Sequence, residues 1–360
     1  MNVAIPMAAR NTNKPSDTSR IENTIFIIRS MGFYLVQKYA MPWLLPSFYN
    51  ICTMKFSVLI TCFLLSALMY SQVNPFVWEP ATNQPSKGKL YESVLTNGYL
   101  SGRVVRVWIP EAYTSSKKKY DVVYFHDGQM LFDSTNTWNH QSWNLAESAS
   151  EYLSKKRCIL VGIDNDPNHR YAEFFPSPIY SALPVSVQLT LRDSLWNGLP
   201  RFDSYADALI NEVFPLIETH WNVHPGGAHR TMVGSSMGGI VSLAFLLTHP
   251  TELSHVACLS IHLPLINYWK FGDRLKEPLT AAFNEFIVKN SVAVNGKSIY
   301  IDRGDQSLDA SYAGYFPAFE SALNSYAKKN KASIKLISNS GHSERDWAAR
   351  IGPILKTIIK

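Results

Sequence analysis

Apolar runs of strand length alternate with stretches of helical spacing through most of this chain. The runs are "YDVVYFHDG" (120–128), "RCILVGID" (157–164), "RTMVGSS" (230–236), "SHVACLSIH" (254–262), "SIYIDRG" (298–304) and "SIKLISNS" (333–340). A strand that is apolar at nearly every position must be covered on both faces, and amphipathic helices between such strands supply the cover. The pattern therefore predicts an α/β fold, with a mostly parallel central sheet and helices on both faces. Helices are predicted over "WNLAESASEYLSKK", over 203–221, over "GGIVSLAFLLTHP", over "YFPAFESALNSYAKKN" and around "RDWAARIGPILKTII". Within 203–221, Leu209, Val213, Leu216 and Ile217 fall on one side, with Asp203 or Ser204 as the cap. "RVVRVWIP" (103–110) alternates as a strand of its own. From Asp164 to Pro200 runs an irregular insertion rich in aromatic residues and proline, longer than a plain strand-to-helix connection. At the carboxyl end of a parallel strand, such a segment is expected to border a substrate cleft.

Charge excludes one class of function. The net charge is +6, but residues 1–71 hold six basic side chains (Arg10, Lys14, Arg20, Arg29, Lys38, Lys55) against two acids (Asp17, Glu22), which leaves the remainder close to neutral. Lys117, Lys118 and Lys119 read as a solvated loop, so no nucleic-acid partner is implied. "MKFSVLITCFLLSALMYSQ" (54–72) places Lys55 before about 13 apolar residues and then small and polar ones, the order of a secretory signal and too short for a membrane span. The expected organisation is an extension at 1–53, a signal peptide at 54–71, a linker at 72–87 and one domain at 88–360, secreted or periplasmic and not inserted in a membrane. Beyond the signal only Cys158 and Cys258 remain, both in apolar runs, and they read as buried free thiols.

"MVGSSMGG" (232–239) contains a G-x-S-x-G match, Gly234 to Gly238, directly after a strand and directly before a helix. In that setting Ser236 sits on a turn too sharp for side chains two positions away, and the following helix aims its first N–H groups at developing negative charge. A serine hydroxyl needs a base, and His342, in a loop between the last strand and the last helix, stands where the order Ser, acid, His puts it. The other nine histidines have plainer readings. His220, His224, His229, His249, His255 and His262 suit capping or surface roles, His126 belongs to the "HDGQ" loop (126–129), and His140 and His169 lie in loops. Asp302, Asp305 and Asp309 follow the preceding strand and are candidates to orient the imidazole. Asp302 lies within the strand and reads as structural, while spacing alone leaves Asp305 and Asp309 equal.

Five ordered motifs, "YFHDGQMLFD", "VGIDN" with Arg170 and Glu173 beyond, "VGSSMGG", "GDQSLDASY" and "GHSERDW", resemble the esterase family of α/β-hydrolases related to secreted feruloyl and acetyl-xylan esterases, enterochelin esterases and mycolyltransferases. The likeness covers roughly 88–360. It implies the α/β-hydrolase fold and makes Asp309, in the L-D-A unit, the acid. Other relatives place the acid at the position of Ser307 here, which keeps Asp305 open. It also implies an oxyanion hole from the amides of Met237 and Gln129.

These readings predict an exported serine hydrolase of carboxylic esters, acting on a small-molecule or glycan ester, with no cofactor or metal and with its oligomeric state open. An acyltransferase with the same triad and a non-catalytic carbohydrate-binding module on the same fold are the alternatives. Tyr171, Phe174, Phe175, Tyr180, Trp138, Trp143 and Trp196 are open to either substrate stacking or core packing. Intact-mass measurement of protein recovered from its host is expected to find a mature N-terminus near Gln72. A species that retains Met1 and partitions with membranes would make the extension an anchor.

Overall fold

The strand at Asp121–His126 shows how the sheet is built. Its sequence, DVVYFH, is β-branched and aromatic at four consecutive positions, and every residue after Asp121 is buried. Val122 and Tyr124 face one core, and Val123 and Phe125 face the other. In the computed structural model, which describes residues 76–360 except 114–117, 154–155, 197, 292–295, 328–330 and 360, this strand is the fourth of nine. They are β1 (Glu79–Pro80), β2 (Lys89–Val94), β3 (Val104–Ile109), β4 (Asp121–His126), β5 (Cys158–Ile163), β6 (Arg230–Ser235), β7 (His255–Leu259), β8 (Ser298–Gly304) and β9 (Lys331–Ile337). The expected signal peptide and the extension before it lie outside the described residues.

The spatial order is β1-β2-β3-β5-β4-β6-β7-β8-β9. The β1–β2, β2–β3 and β3–β5 pairs are antiparallel, and all pairs from β5 across to β9 are parallel. This is the predicted α/β-hydrolase architecture. β5 and β6 flank β4 on opposite sides, so the order reverses at β4 and the loops after β4 and β6 open a crevice between them. In open parallel sheets ligands bind at such a reversal.

Helices α1 (Leu145–Leu153), α2 (Phe202–Ala208), α3 (Phe214–His220), α4 (Met237–Thr248), α5 (Lys276–Asn290), α6 (Phe316–Ala327) and α7 (Glu344–Ile358) cover the sheet. On one face α1 and α7 pack Leu145, Ala149, Trp347 and Ile351 against Phe125, Val233 and Leu259. On the other, Phe214, Phe245, Phe283 and Phe319 come from α3 to α6. No helix among the described residues is long and apolar enough to cross a membrane. Cys158 and Cys258 are buried free thiols, as expected, with burial raising both thiol pKa values.

Four local features differ from expectation. Pairing begins earlier: Glu79 and Pro80, within the stretch expected as a linker, add an edge strand to β2, and Ala81 is buried behind them. The helix predicted over 203–221 starts at Phe202 and ends at His220, and Arg201 rather than Asp203 or Ser204 occupies the cap position, with no side-chain cap bond. A π segment, Leu209–Val213, separates α2 from α3 just before Pro215, whose ring has no N–H to donate and crowds the preceding turn. Finally, the insertion after β5 is largely helical, with short turns at Arg170–Phe174, Ser177–Ala182 and Val185–Leu191 and a π turn at Arg192–Trp196. Phe174 and Phe175 are fully buried there, so these two rings serve the core.

One buried ion pair ties the sheet to its last helix. Arg350 on α7 donates from Nε to Asp302 Oδ2 (3.0 Å) and from Nη2 to Oδ1 (3.1 Å), and the Ser260 N–H and the Tyr300 hydroxyl complete the carboxylate's shell. Asp302 is thus structural, as its place within the strand predicted. Removing one partner of a buried pair strands the other charge, at a cost of about 3–5 kcal/mol. Asp302→Ala is expected to lower stability by about that amount, read as the shift in denaturant midpoint; a loss below about 1 kcal/mol would mean that α7 is held without the pair.

Candidate active site

Ser236 connects β6 to α4 with φ 55° and ψ −125°. A non-glycine residue in that region costs about 1–3 kcal/mol and persists only where its surroundings hold it. Here the Ser236 N–H donates to the Leu259 carbonyl (2.9 Å), and its carbonyl accepts from the N–H groups of Gly239 (3.0 Å), Ile240 (3.3 Å) and His262 (3.2 Å). Gly234 has to be glycine, because a Cβ there would stand 2.2 Å from the Gly238 carbonyl oxygen. Gly238 does not meet the sequence expectation: a Cβ there would have only ordinary contacts, at 3.5 Å from Asp127 and His126, so the crowding falls on the strand side of the serine alone. Asp127, Ser260 and Ser307 also have positive φ, which gathers four of the eight such non-glycine residues among those described around one end of the sheet. Strain of this kind concentrates at functional sites.

His342 lies between β9 and α7, and its ring is 12% exposed. Its Nδ1 is 2.6 Å from Asp309 Oδ1. An ionised carboxylate only accepts, so Nδ1 carries the proton and Nε2 keeps a free lone pair. Tyr312 and Trp347 meet the ring edge to face, at 5.8 and 5.1 Å between centroids, and the His342 N–H donates to Ser307 Oγ (2.9 Å). Asp309 is fully buried. Its second oxygen accepts from the Ser260 hydroxyl and the Gly304 N–H, both at 2.6 Å. Burial alone would raise its pKa, but these bonds and His342 outweigh burial and hold the carboxyl below its ordinary value. Asp305 contacts Gln306 and does not reach His342. The two candidates that spacing left equal are therefore separated by geometry: the short helix Ser307–Ser311 turns Asp309 inward beneath the His342 loop.

Ser236 and the His342–Asp309 pair meet through one segment. Leu259 and His262 bond the serine backbone, and Ser260 between them bonds Asp309. Among the described residues no hydrogen bond joins the Ser236 hydroxyl to His342; in unliganded enzymes such bonds are often long and tighten with substrate.

Beyond β4, Asp127 adopts φ 59° and Gly128–Met130 form a single 3-10 turn. Arg170 grips the Asp127 carboxylate with Nε and Nη2, both at 2.7 Å, and Asn165 donates to it as well. Burial would raise the Asp127 pKa, but Arg170 beside it prevails and holds the carboxyl low. Gly128 lies so close to β5 that a Cβ would fall 2.7 Å from the Gly162 carbonyl carbon. The Gln129 side chain accepts from the Asn165 N–H (3.2 Å). That leaves its backbone amide in the first turn of a short helix, where N–H groups have no partner within the turn; Met237, first residue of α4, is in the same position. Glu173 is the buried anchor of this region, bound by Arg103 and by the Tyr99 hydroxyl (3.0 Å).

With this geometry in place the chain can be set beside known proteins. Residues 101–358 match the model of the family described as "Putative esterase". The chain belongs to this family. The esterase is 28% identical over 174 residues to protein YbbA of Bacillus subtilis (strain 168), an alignment covering 48% of this chain and 60% of that relative. Its fold is similar to that of an IroE-like serine hydrolase from Shewanella oneidensis (TM-score 0.54, 18% identity, 76% of this chain and 80% of that one). It is also similar to the enterobactin esterase of Shigella flexneri solved in the presence of enterobactin (TM-score 0.51, 14% identity, 80% of this chain and 60% of that one). The chain spans about three fifths of the length of the curated relative it matches.

Several residues of the esterase's site escaped the sequence. Ser260 donates to Asp309 and accepts from Trp347 Nε1 (2.9 Å) and Arg350 Nη2 (2.7 Å), joining the acid to the Asp302–Arg350 pair. Trp347 and Arg350 lie three apart on α7, a helical spacing legible after His342. His262 is no surface residue: buried, it accepts at Nδ1 from the Tyr312 hydroxyl and donates from Nε2 to the Ile266 carbonyl (2.6 Å). His126 is buried too, with Nδ1 2.8 Å from the Tyr205 hydroxyl.

Burial lowers the His126 pKa to about 4 and that of His262 to about 3, so both rings stay neutral when the site works. Unfolded histidine binds a proton below about pH 6.5. From there down to about pH 4 each ring therefore makes folding less favourable as pH falls, by up to about 1.4 kcal/mol per pH unit. Burial also raises the Asp164 pKa to about 7 despite Arg106, which acts in the opposite direction over the same range and offsets one of the two rings. The imidazole NMR signals of His126 and His262 are expected to stay constant from pH 5 to pH 8. A midpoint near 6.5 for either would place that ring in water.

Proposed function

We propose that this esterase is an exported serine hydrolase that works through an acyl-enzyme. Ser236 Oγ attacks the acyl carbon while His342 Nε2 takes its proton, giving a tetrahedral oxyanion held by the Met237 and Gln129 amides. The carbon–oxygen bond to the alcohol then breaks, and the alcohol leaves with the proton from His342. Water attacks the acyl-serine with the same histidine as base, releasing the acid and restoring the hydroxyl. Asp309 keeps the Nδ1–H tautomer and stabilises the imidazolium formed in each half.

The observation that carries this reading is the 2.6 Å bond between a buried carboxylate and His342, on a loop joined through Leu259–His262 to a strained Ser236. Acyl groups on a siderophore or a carbohydrate are the proposed substrates. Supporting this, Trp138 is 83% exposed and precedes Asn139, whose amide bonds Glu344 (2.8 Å) two residues beyond His342. An exposed indole at that place offers a face to an aromatic or sugar ring.

Hydrolysis of p-nitrophenyl acetate tests the roles. Ser236→Ala is expected to abolish turnover in a folded protein, and Asp309→Asn to lower kcat about ten-thousand-fold by favouring the wrong tautomer. Asp305→Asn is expected to stay within about twofold, as for a surface change outside the machinery. Half the activity surviving in Ser236→Ala would end the acyl-enzyme reading, and the reverse order of the two aspartates would move the acid to Asp305.

A further inference from the structure

A second cluster of chemically competent side chains lies at the other end of the sheet. Asp121 opens β4, and the site described above follows its last residue, His126. Six residues at about 3.3 Å each separate the two by roughly 20 Å. Beside Asp121 stand His224 and His229, both in the loop between α3 and β6. The three offer ligand atoms that all lie within 4.8 Å of one another. His229 Nδ1 is 2.7 Å from Asp121 Oδ1, and the two imidazoles stack at 4.2 Å between centroids with 20° between planes.

The loop is built to hold this arrangement. The His224 N–H donates to the Tyr120 carbonyl (2.9 Å) and the Tyr120 N–H to the Asn222 carbonyl (3.0 Å), so His224 is strapped one residue away from Asp121. Gly226 turns the chain at φ 86°, and Gly227 packs so tightly that a Cβ would fall 1.9 Å from the Thr251 carbonyl oxygen. That contact presses the Gly227–His229 turn against the neighbouring segment just before β6 begins. A cavity of about 410 Å³, lined by Asp121, His229, Thr231 and His255 among others, opens beside the cluster and leaves room for a water ligand.

We propose that Asp121, His224 and His229 form a site for one borderline divalent cation, zinc above all, at the end of the sheet opposite the Ser236 crevice. Two imidazoles and a carboxylate are the donors such an ion takes, with water in the fourth position. Bonds of about 2.0–2.2 Å in a tetrahedral site put ligand atoms about 3.3 Å apart, so binding spreads the His229–Asp121 pair slightly and draws the third ligand inward. The ion takes the place of the direct His229–Asp121 hydrogen bond and clips the 223–229 loop to the start of β4. Capping and surface roles for His224 and His229, adequate for a single sequence, overlook that the fold brings both beside Asp121.

Titration of tag-free, metal-stripped full chain with zinc, followed by calorimetry and thermal unfolding, tests the site without reference to ester hydrolysis. Failure here therefore leaves the proposed function standing. One zinc per chain is expected, with a rise in Tm of roughly 5 °C when free zinc is a hundredfold above Kd. His224→Ala/His229→Ala is expected to lose both uptake and shift, and Asp121→Asn to weaken binding at least about tenfold. Metal-free circular dichroism checks that the variants fold, and His224→Gln/His229→Gln replaces the alanine pair if they do not. No uptake by the parent protein, or uptake that survives loss of both imidazoles, overturns the proposal.

Discussion

A carboxylate shut away from water is tolerated only where hydrogen bonds replace its solvation, and Asp309 is such a group. One oxygen takes the imidazole of His342, and the other takes the Ser260 hydroxyl and the Gly304 N–H. Each donor is fixed in turn. Ser260 can point its proton at Asp309 because Trp347 and Arg350 occupy its acceptor side, and Arg350 is held by Asp302 inside β8. The position of the His342 ring therefore depends on where α7 docks, and α7 docks where its buried Arg350 finds a counter-charge.

The sheet brings these parts together by topology. Ser236, Ser260, Asp309 and His342 follow the carboxyl ends of β6, β7, β8 and β9, which are consecutive neighbours in the sheet. The Asp127–Met130 loop follows β4, on the other side of β6. Because parallel strands all end at the same edge, five loops far apart in sequence converge there without any one of them being long. Four of the eight positive-φ residues other than glycine among those described, Asp127, Ser236, Ser260 and Ser307, gather at the same edge, where backbone bonds from Leu259 and His262 hold Ser236 in place.

Much of this was legible beforehand. The strand runs, the helices between them and the strand–turn–helix setting of Ser236 follow from periodicity and from glycine placement, which are local properties. The loops that carry His342 and Asp309 could be placed for the same reason. What remained ambiguous was long-range. Asp305 and Asp309 are equivalent as spacings, and only the inward turn of Ser307–Ser311 separates them. The insertion after β5 looked irregular because its prolines and aromatics suggest a loop, whereas burial of Phe174 and Phe175 stabilises short helices that would not stand alone.

By itself, then, the sequence determined which residues are candidates for chemistry and on which kind of element each sits, since hydroxyl, imidazole, carboxylate and turn glycine declare themselves one at a time. Only the tertiary structure decided their partners. Ser260 as the link between acid and helix, His262 as a neutral clamp on the serine backbone, and His224 and His229 beside Asp121 are facts of packing between segments many residues apart. A hydrogen bond depends on distance and direction, and no local pattern in the chain encodes either across a sheet.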